Sequence, residues 1–522
     1  MNKFFKIFSI AVLLVAFISC EKSPSDEVDT DHPAVTPEPK PEQKPEQKPE
    51  NKRYVKGKYF WSEKLNDRIT YSLHMPASYE DDITKTYPVV FFLHGIGESS
   101  TKDWTEYINV IENLESTVGL QEMIYVFPNG FSSYYCNTYD GKFPYMDMFI
   151  EELIPHIDTT YRTIGDRQHR AVTGYSMGGF GTMALAIKHP ETFVASAPMS
   201  ISLCTDERYL DEPQSGWNNQ WGSIFGGIDQ NAAGRLTDYY KAHCPYYMFI
   251  PENKEALSQV KWFVHCGDDE DKLLIANDQL HVQLRDYEYA HEFRISDGGH
   301  SGSYWRPAMR ETLPWIEFVM NGGENWEKVM GTFSQKTSQL NEDGTFSSKA
   351  YNDAAEKDGL ATWFVHKGLS KEVVDQCICQ LSQYGSNFQY MILPCDLEEK
   401  SLEEWMEFYK AKYEVAKSVK KSQAFAIGET GKDVWAKHDE FKRLYLIDAN
   451  LTDAEETITA NKDKFYYIET TDDSPYYKDC NALYVSCKAV KADFEYRMRN
   501  SIFDKQLELM LAIQSAAENF RY

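Results

Sequence analysis

The chain has 522 residues, 42% of them hydrophobic, which is too long for one average domain and apolar enough to bury two cores. Its formal charge of −26 argues against a nucleic-acid partner, because non-specific binding to a phosphate backbone rests on Lys and Arg displacing counterions. Of the ten cysteines none forms a CxxC pair, and Cys377 and Cys379 do not have metal-ligand spacing, so neither a metal nor another cofactor is expected.

Residues 1–20, MNKFFKIFSIAVLLVAFISC, set Lys3 and Lys6 before an apolar run too short to span a bilayer. This reads as an export signal. It resembles a bacterial lipoprotein signal, in which the residue after the cleavage point, here Cys20, receives lipid; Phe17 departs from the usual Leu. Residues 21–53 contain EPKPEQKPEQKPENK, which cannot bury apolar surface and favours an extended, solvated spacer. The expectation is an exported protein tethered at the outer membrane or cell surface, touching the membrane through its N-terminal lipid only.

From Tyr54 strands and helices alternate. YPVVFFLHGIG (87–97) and MIYVFPNG (123–130) read as buried strands, and MDMFIEELIPHIDTTY (146–161) as an amphipathic helix. HRAVTGYSMGGFGTMALAIKHP (169–190) then gives a strand, a glycine turn and a helix stopped at His189-Pro190, followed by two more strands in FVASAPMS and VKWFVHCGD. The pattern predicts a parallel sheet covered on both faces.

In Gly174-Tyr175-Ser176-Met177-Gly178 the small flanking residues allow a sharp strand-to-helix turn that lifts a serine hydroxyl above the sheet edge. Ser176 is the candidate nucleophile, and the Met177 N–H at the helix N-terminus a candidate oxyanion donor. A serine hydroxyl needs a base, and the base an orienting acid, expected in the order Ser, acid, His. His300, after two glycines in HEFRISDGGHSGSYW, is the candidate base; the acid lies among Asp268, Asp269, Glu270 and Asp271.

The segments FFLHGIGES, GYSMGGFGT, HCGDDEDKLLIAN and GGHSGSYW together resemble the esterase group of α/β hydrolases. That group contains the feruloyl and acetyl xylan esterases of carbohydrate esterase family 1, S-formylglutathione hydrolases and siderophore esterases. The resemblance implies the α/β-hydrolase fold for residues 54–325 and an acid three residues after a glycine, near a helix start. Counted back from Asn277 and Leu273-Leu274, with one residue inserted after Gly267, that acid is Asp271, with Asp268 as the alternative. The resemblance also implies a second oxyanion donor at Ile96, after His94-Gly95. Among the aromatic residues between the motifs, Trp305 is the substrate-binding candidate because it lies five residues beyond His300.

Residues 326–522 start another, smaller α/β pattern. ATWFVHKGLS, YMILPCD, SQAFAIGETGKDVWAKHDEFKRLYLIDAN and ADFEYRMRNSIFD repeat the order of the first half's segments, which reads as a diverged hydrolase copy. The elbow serine then corresponds to Thr430, the second elbow glycine to Lys432 and the histidine to Phe503, so the copy is expected to be non-catalytic. WFVHKG matches WFVHCG (262–267) even better, which leaves the register open, and an unrelated accessory domain is the alternative.

The function these readings imply is a serine carboxylic-ester hydrolase. It would remove feruloyl or acetyl groups from plant polysaccharide such as arabinoxylan, or from a small ester. A siderophore esterase and a glycan-binding protein on a degenerate hydrolase fold are the alternatives.

Overall fold

A computed structural model describes residues 53–228, 232–296, 298–322, 340–382, 388–451, 461–471 and 473–499, with 458, 509, 512, 513 and 516. The signal, Cys20, the spacer up to residue 52, the boundary expected at 325/326 and Phe503 lie outside the described residues.

The first half builds the strands β1 (Tyr54–Ser62), β2 (Asp67–His74), β3 (Val89–Leu93), β4 (Ile124–Pro128), β5 (Arg170–Ser176), β6 (Ala195–Ile201), β7 (Lys261–Gly267) and β8 (His291–Ser296). They lie in the order β1-β2-β4-β3-β5-β6-β7-β8. β1 and β2 form an antiparallel hairpin against β4, and every pair from β4 to β8 is parallel. In β3, Val89, Phe91 and Leu93 enter one hydrophobic cluster and Val90 and Phe92 the other. A parallel sheet covered on both faces requires this, and it is why β3 reads as an unbroken apolar run. The helices that matter for the site are α1 (Thr105–Thr117), α2 (Met177–Lys188), α3 (Asp271–Asp286) and α4 (Gly302–Met320). α2 is apolar on all sides and buried from Met177 to Ile187, as a helix sandwiched in a core must be.

The second half supplies β9 (Phe346–Ser347), β10 (Leu360–His366), β11 (Tyr390–Asp396), β12 (Ser422–Ile427), β13 (Arg443–Ile447), β14 (Phe465–Thr471) and β15 (Asp493–Arg499), with the helix α5 (Tyr477–Val490) before β15. These strands do not form a separate sheet. β15 pairs antiparallel with β8, so among the described residues the two halves share one 15-stranded sheet. One hydrophobic cluster is likewise continuous from Leu280 and Phe293 to Leu483 and Tyr496.

From β15 outward the order is β15-β14-β13-β12-β10-β11-β9, and from β8 outward it is β8-β7-β6-β5-β3-β4-β2, the same sequence of crossovers. The ladders give the register. Val89 pairs with Arg170 in the first half and Ala361 with Ser422 in the second, with His94 and His366 each five residues on from Val89 and Ala361. Counted along these ladders, β10 takes the place of β3, and Gly428 takes the place of Ser176. The expected counterpart, Thr430, is two residues further on. Its hydroxyl lies 3.0 Å from the Ile427 carbonyl within the turn and 3.2 Å from the Val365 carbonyl of β10, a packing role.

Among the described residues the nine cysteines after Cys20 are not joined in disulfides.

Candidate active site

β5 is buried along its whole length and ends at Ser176, whose φ of 58° and ψ of −122° lie outside the ordinary regions for a residue with a side chain. The surroundings force that conformation. A Cβ at Gly174 would come within 2.5 Å of the Leu93 carbonyl oxygen, and one at Gly178 within 2.2 Å of the same atom. Only glycines let the elbow pack this tightly on β3. Ser202 N–H donates to the Ser176 carbonyl at 3.0 Å and closes the turn from the β6 side. α2 begins at Met177, so the Met177 N–H has no carbonyl one turn back within the helix to bond.

His300 stands over the elbow. Its Nε2 is 2.8 Å from Ser176 Oγ and its Nδ1 is 2.7 Å from Glu270 Oε2. The carboxylate accepts from Nδ1–H, which leaves Nε2 as the acceptor for the serine hydroxyl. The acid beside His300 is therefore Glu270, and the expectation of Asp271 is corrected. Glu270 is the last residue before α3, and Asp271 is the first residue inside it. Asp268, the alternative, accepts instead from Gly298 N–H at 3.0 Å and holds the loop that leads to His300.

Glu270 has a fully buried side chain and His300 one that is 35% exposed, so the acid is sealed off while the imidazole meets solvent. The other carboxylate oxygen of Glu270 accepts from Gly267 N–H at 3.2 Å and from the Ser200 hydroxyl. Ser200 in turn accepts from the Trp305 indole N–H at 2.8 Å. Trp305 is buried, stacks on Tyr175 with ring centroids 4.0 Å apart, and meets the His300 ring edge-on at 5.0 Å. This corrects its expected role as a substrate-binding side chain. It is committed to the wall behind the triad, in the first turn of α4, which starts two residues after His300.

The loop after β3 is fastened to the same wall. Tyr175 O–H donates to Glu98 at 2.6 Å, Gly95 N–H donates to the same carboxylate oxygen at 3.2 Å, and Lys102 donates to its other oxygen at 2.7 Å. A Cβ at Gly95 would lie 3.4 Å from Ser176 Cβ, so the backbone leading into Ile96 passes directly beside the serine. His94 anchors the strand end: Gly130 N–H donates to its Nε2 at 2.8 Å, and its Nδ1–H donates to the Gly95 carbonyl at 2.7 Å. Burial lowers the His94 pKa and keeps the ring neutral, as an accepting Nε2 requires. Ser200, Glu98 and Lys102 have no signature in the sequence; Tyr175 sits in the motif but is not one of its fixed letters.

Residues 62–316 match the family model described as "Putative esterase". The parallel sheet of this part, with Ser176 at a sharp strand-to-helix elbow, has the arrangement of the α/β-hydrolase fold. An endo-1,4-beta-xylanase/feruloyl esterase of Xylanibacter ruminicola is 30% identical over 221 residues, 40% of this chain and 24% of its own length. An acetyl esterase of Caldicellulosiruptor saccharolyticus is 21% identical, with 50% of this chain and 97% of its own covered. A solved ferulic acid esterase is 29% identical, with 51% of this chain and 98% of that one covered at a TM-score of 0.42. The chain spans about a quarter of the length of the first curated relatives it matches.

Proposed function

We propose that the chain is a serine esterase that removes feruloyl or acetyl groups from plant polysaccharide such as arabinoxylan. The observation that carries the reading is the hydrogen-bonded chain from Glu270 through His300 to Ser176, mounted on a strained elbow at a helix N-terminus. In the first step Ser176 Oγ bonds to the ester carbonyl carbon while its proton passes to His300 Nε2. Glu270 stabilises the imidazolium, and the N–H groups of Met177 and Ile96 bind the oxyanion. Collapse breaks the ester C–O bond, and the leaving alcohol takes the proton from His300. A water, deprotonated by His300, then releases the acid and restores Ser176.

Relatives named as feruloyl and acetyl esterases support the acyl groups and the polysaccharide. Lipid on Cys20 and the charged spacer would hold the enzyme at a cell surface, within reach of an insoluble polymer. Palmitate should then label the parent and not Cys20→Ala.

The test is hydrolysis of methyl ferulate, an aryl acetate, acylated arabinoxylan, a catecholate ester and a peptide side by side. Both small esters and the polymer should be cleaved and the peptide left intact. Ser176→Ala should lose about 10³-fold or more in turnover, because oxyanion binding alone remains. Parent-level turnover in that variant would overturn the mechanism. Cleavage of the aryl acetate without deacylation of the polymer would overturn the substrate alone.

A further inference from the structure

We infer that the second half is an emptied copy of the hydrolase unit, fused to the first through a two-fold strand junction, and that it now serves to position the elements carrying Glu270 and His300. Three observations independent of strand order support the copy. Ser176 and Gly428 have φ of 58° and 60°, and at the next strand end Ser200 and Asp448 have φ of 49° and 44°. The bond that closes the elbow is repeated as well: Ser202 N–H to Ser176 O at 3.0 Å, Asn450 N–H to Gly428 O at 2.8 Å. Unrelated αβ layers have no reason to share left-handed residues and a closing bond at matched places in the register.

The same register empties the site. Glu270 falls on Ser474, Ser176 on Gly428 and, by sequence count, His300 on Phe503, so nucleophile, base and acid are all gone. Glu429, beside Gly428, is bonded by the Tyr476 hydroxyl and by the Asn450 side chain at 3.4 Å. Because β8 and β15 run antiparallel, the strand end that carries Gly428 lies at the opposite end of the sheet from Ser176.

At the junction Arg294 pairs with Arg497, flanked by Ile295 with Tyr496 and Phe293 with Met498. Each pair exchanges equivalent positions of the two copies, which is the pattern of an isologous two-fold contact with its axis between the arginines. Two like charges face each other there, and Glu311 of α4 bridges them at 3.1 and 2.7 Å. A second tie joins the halves at α3, the helix that starts after Glu270. Tyr484 on α5 donates to Asp278 at 2.6 Å, and Lys488 donates to the same carboxylate. β15 thus covers the edge of the strand that leads to His300, and α5 grips the helix that begins at the acid. Without them β8 would be an open edge strand and its C-terminal loop free to shift.

The inference rests on the esterase reading for its assay, so the experiment counts active serines before it measures rate. The full chain and the variants Arg497→Met, Arg497→Lys and Tyr484→Phe are titrated with a fluorophosphonate, and aryl acetate kinetics are expressed per labelled site. One label per chain is expected, abolished by Ser176→Ala and retained in Gly428→Ala. Arg497→Met and Tyr484→Phe should each lower kcat per labelled site by about three- to tenfold with KM unchanged, the scale of a small misplacement of a catalytic group, and Arg497→Lys should restore most of it. A merely structural role would lower the labelled fraction and leave kcat per site at the parent value. That result in both tie variants would overturn the positioning role. If Arg497→Met does not fold, Tyr484→Phe decides it. A second label in the parent would overturn the emptied copy, and no label at all would count against the esterase reading instead.

Discussion

Glu270 accepts hydrogen bonds from His300, Ser200 and Gly267 N–H, so it has one orientation available, and a substitution there acts on charge before geometry. Glu270→Gln keeps the shape and removes the charge that stabilises the imidazolium. Its kcat should fall by about 10³- to 10⁴-fold, while Asp271→Asn stays near the parent. Stopped assays on the two purified variants check the ranking, and the reverse order would return the role to Asp271. Trp305→Phe keeps the stack on Tyr175 and loses the bond to Ser200, so kcat should drop by roughly tenfold with little change in KM. A change confined to KM would instead make Trp305 a substrate contact. Ser176 and His300 are legible in the sequence because glycines at fixed local spacing mark both. The acid is not legible in that way. Four consecutive carboxylates follow Gly267 in one charge run, and the hydrogen bond to His300 Nδ1 selects Glu270 among them. The family spacing of three residues from a glycine does land on Glu270 when counted from Gly267 without a gap. No residue is inserted between Gly267 and the acid.

Among the elements, the strands around the elbow show how a sequence pattern becomes a constraint. Gly178 must be glycine because a methyl group would meet the Leu93 carbonyl oxygen, a backbone atom that cannot swing aside. Gly178→Ala should cost about 1–3 kcal/mol and shift Ser176 off line, seen as a lower urea midpoint together with a lower kcat. At Gly428, in the matching turn, no atom of the described residues beyond its chain neighbours comes within 4 Å of where a Cβ would sit. Gly428→Ala should therefore cost only the left-handed backbone penalty of about 1–2 kcal/mol and leave the esterase rate unchanged. The strands of both halves are readable from their apolar runs, and the two-residue slip between Thr430 and Gly428 is a loop effect. The elbow of the second half has a short 3₁₀ turn where the first begins its long helix at once, so the two sequences fall out of step across the turn. Ladder pairing fixes what letter matching cannot.

Over the whole molecule, the continuous sheet was not legible, since a strand buried on both faces reads the same whether its neighbour belongs to its own half or to another. Its cost is buried charge and buried imidazole. Glu311→Gln would leave Arg294 and Arg497 facing each other with their bridge uncharged, a loss of about 3–5 kcal/mol in a urea melt. Burial, which alone would raise it, is outweighed by the two arginines, and the Glu311 carboxyl is held well below the usual carboxylate range. Its contribution is full above the unfolded value of about 4.3 and fades only below it. The histidines act at higher pH. Burial lowers His74 and His265 to about 3 and His291 to about 4, and lowers His281, against which His291 packs at 2.9 Å. An unfolded imidazole titrates near 6.5, so between the folded and unfolded values the unfolded chain binds more protons than the folded one. Stability is then full above about pH 6.5 and falls with pH by up to about 1.4 kcal/mol per group per unit. Melting temperature should thus drop steeply from pH 6.5 to 4.5, before the carboxylates titrate, and His74→Phe should make the slope shallower. A melting temperature that stays level from pH 7 to 5 would mean that these rings are not held neutral in the fold.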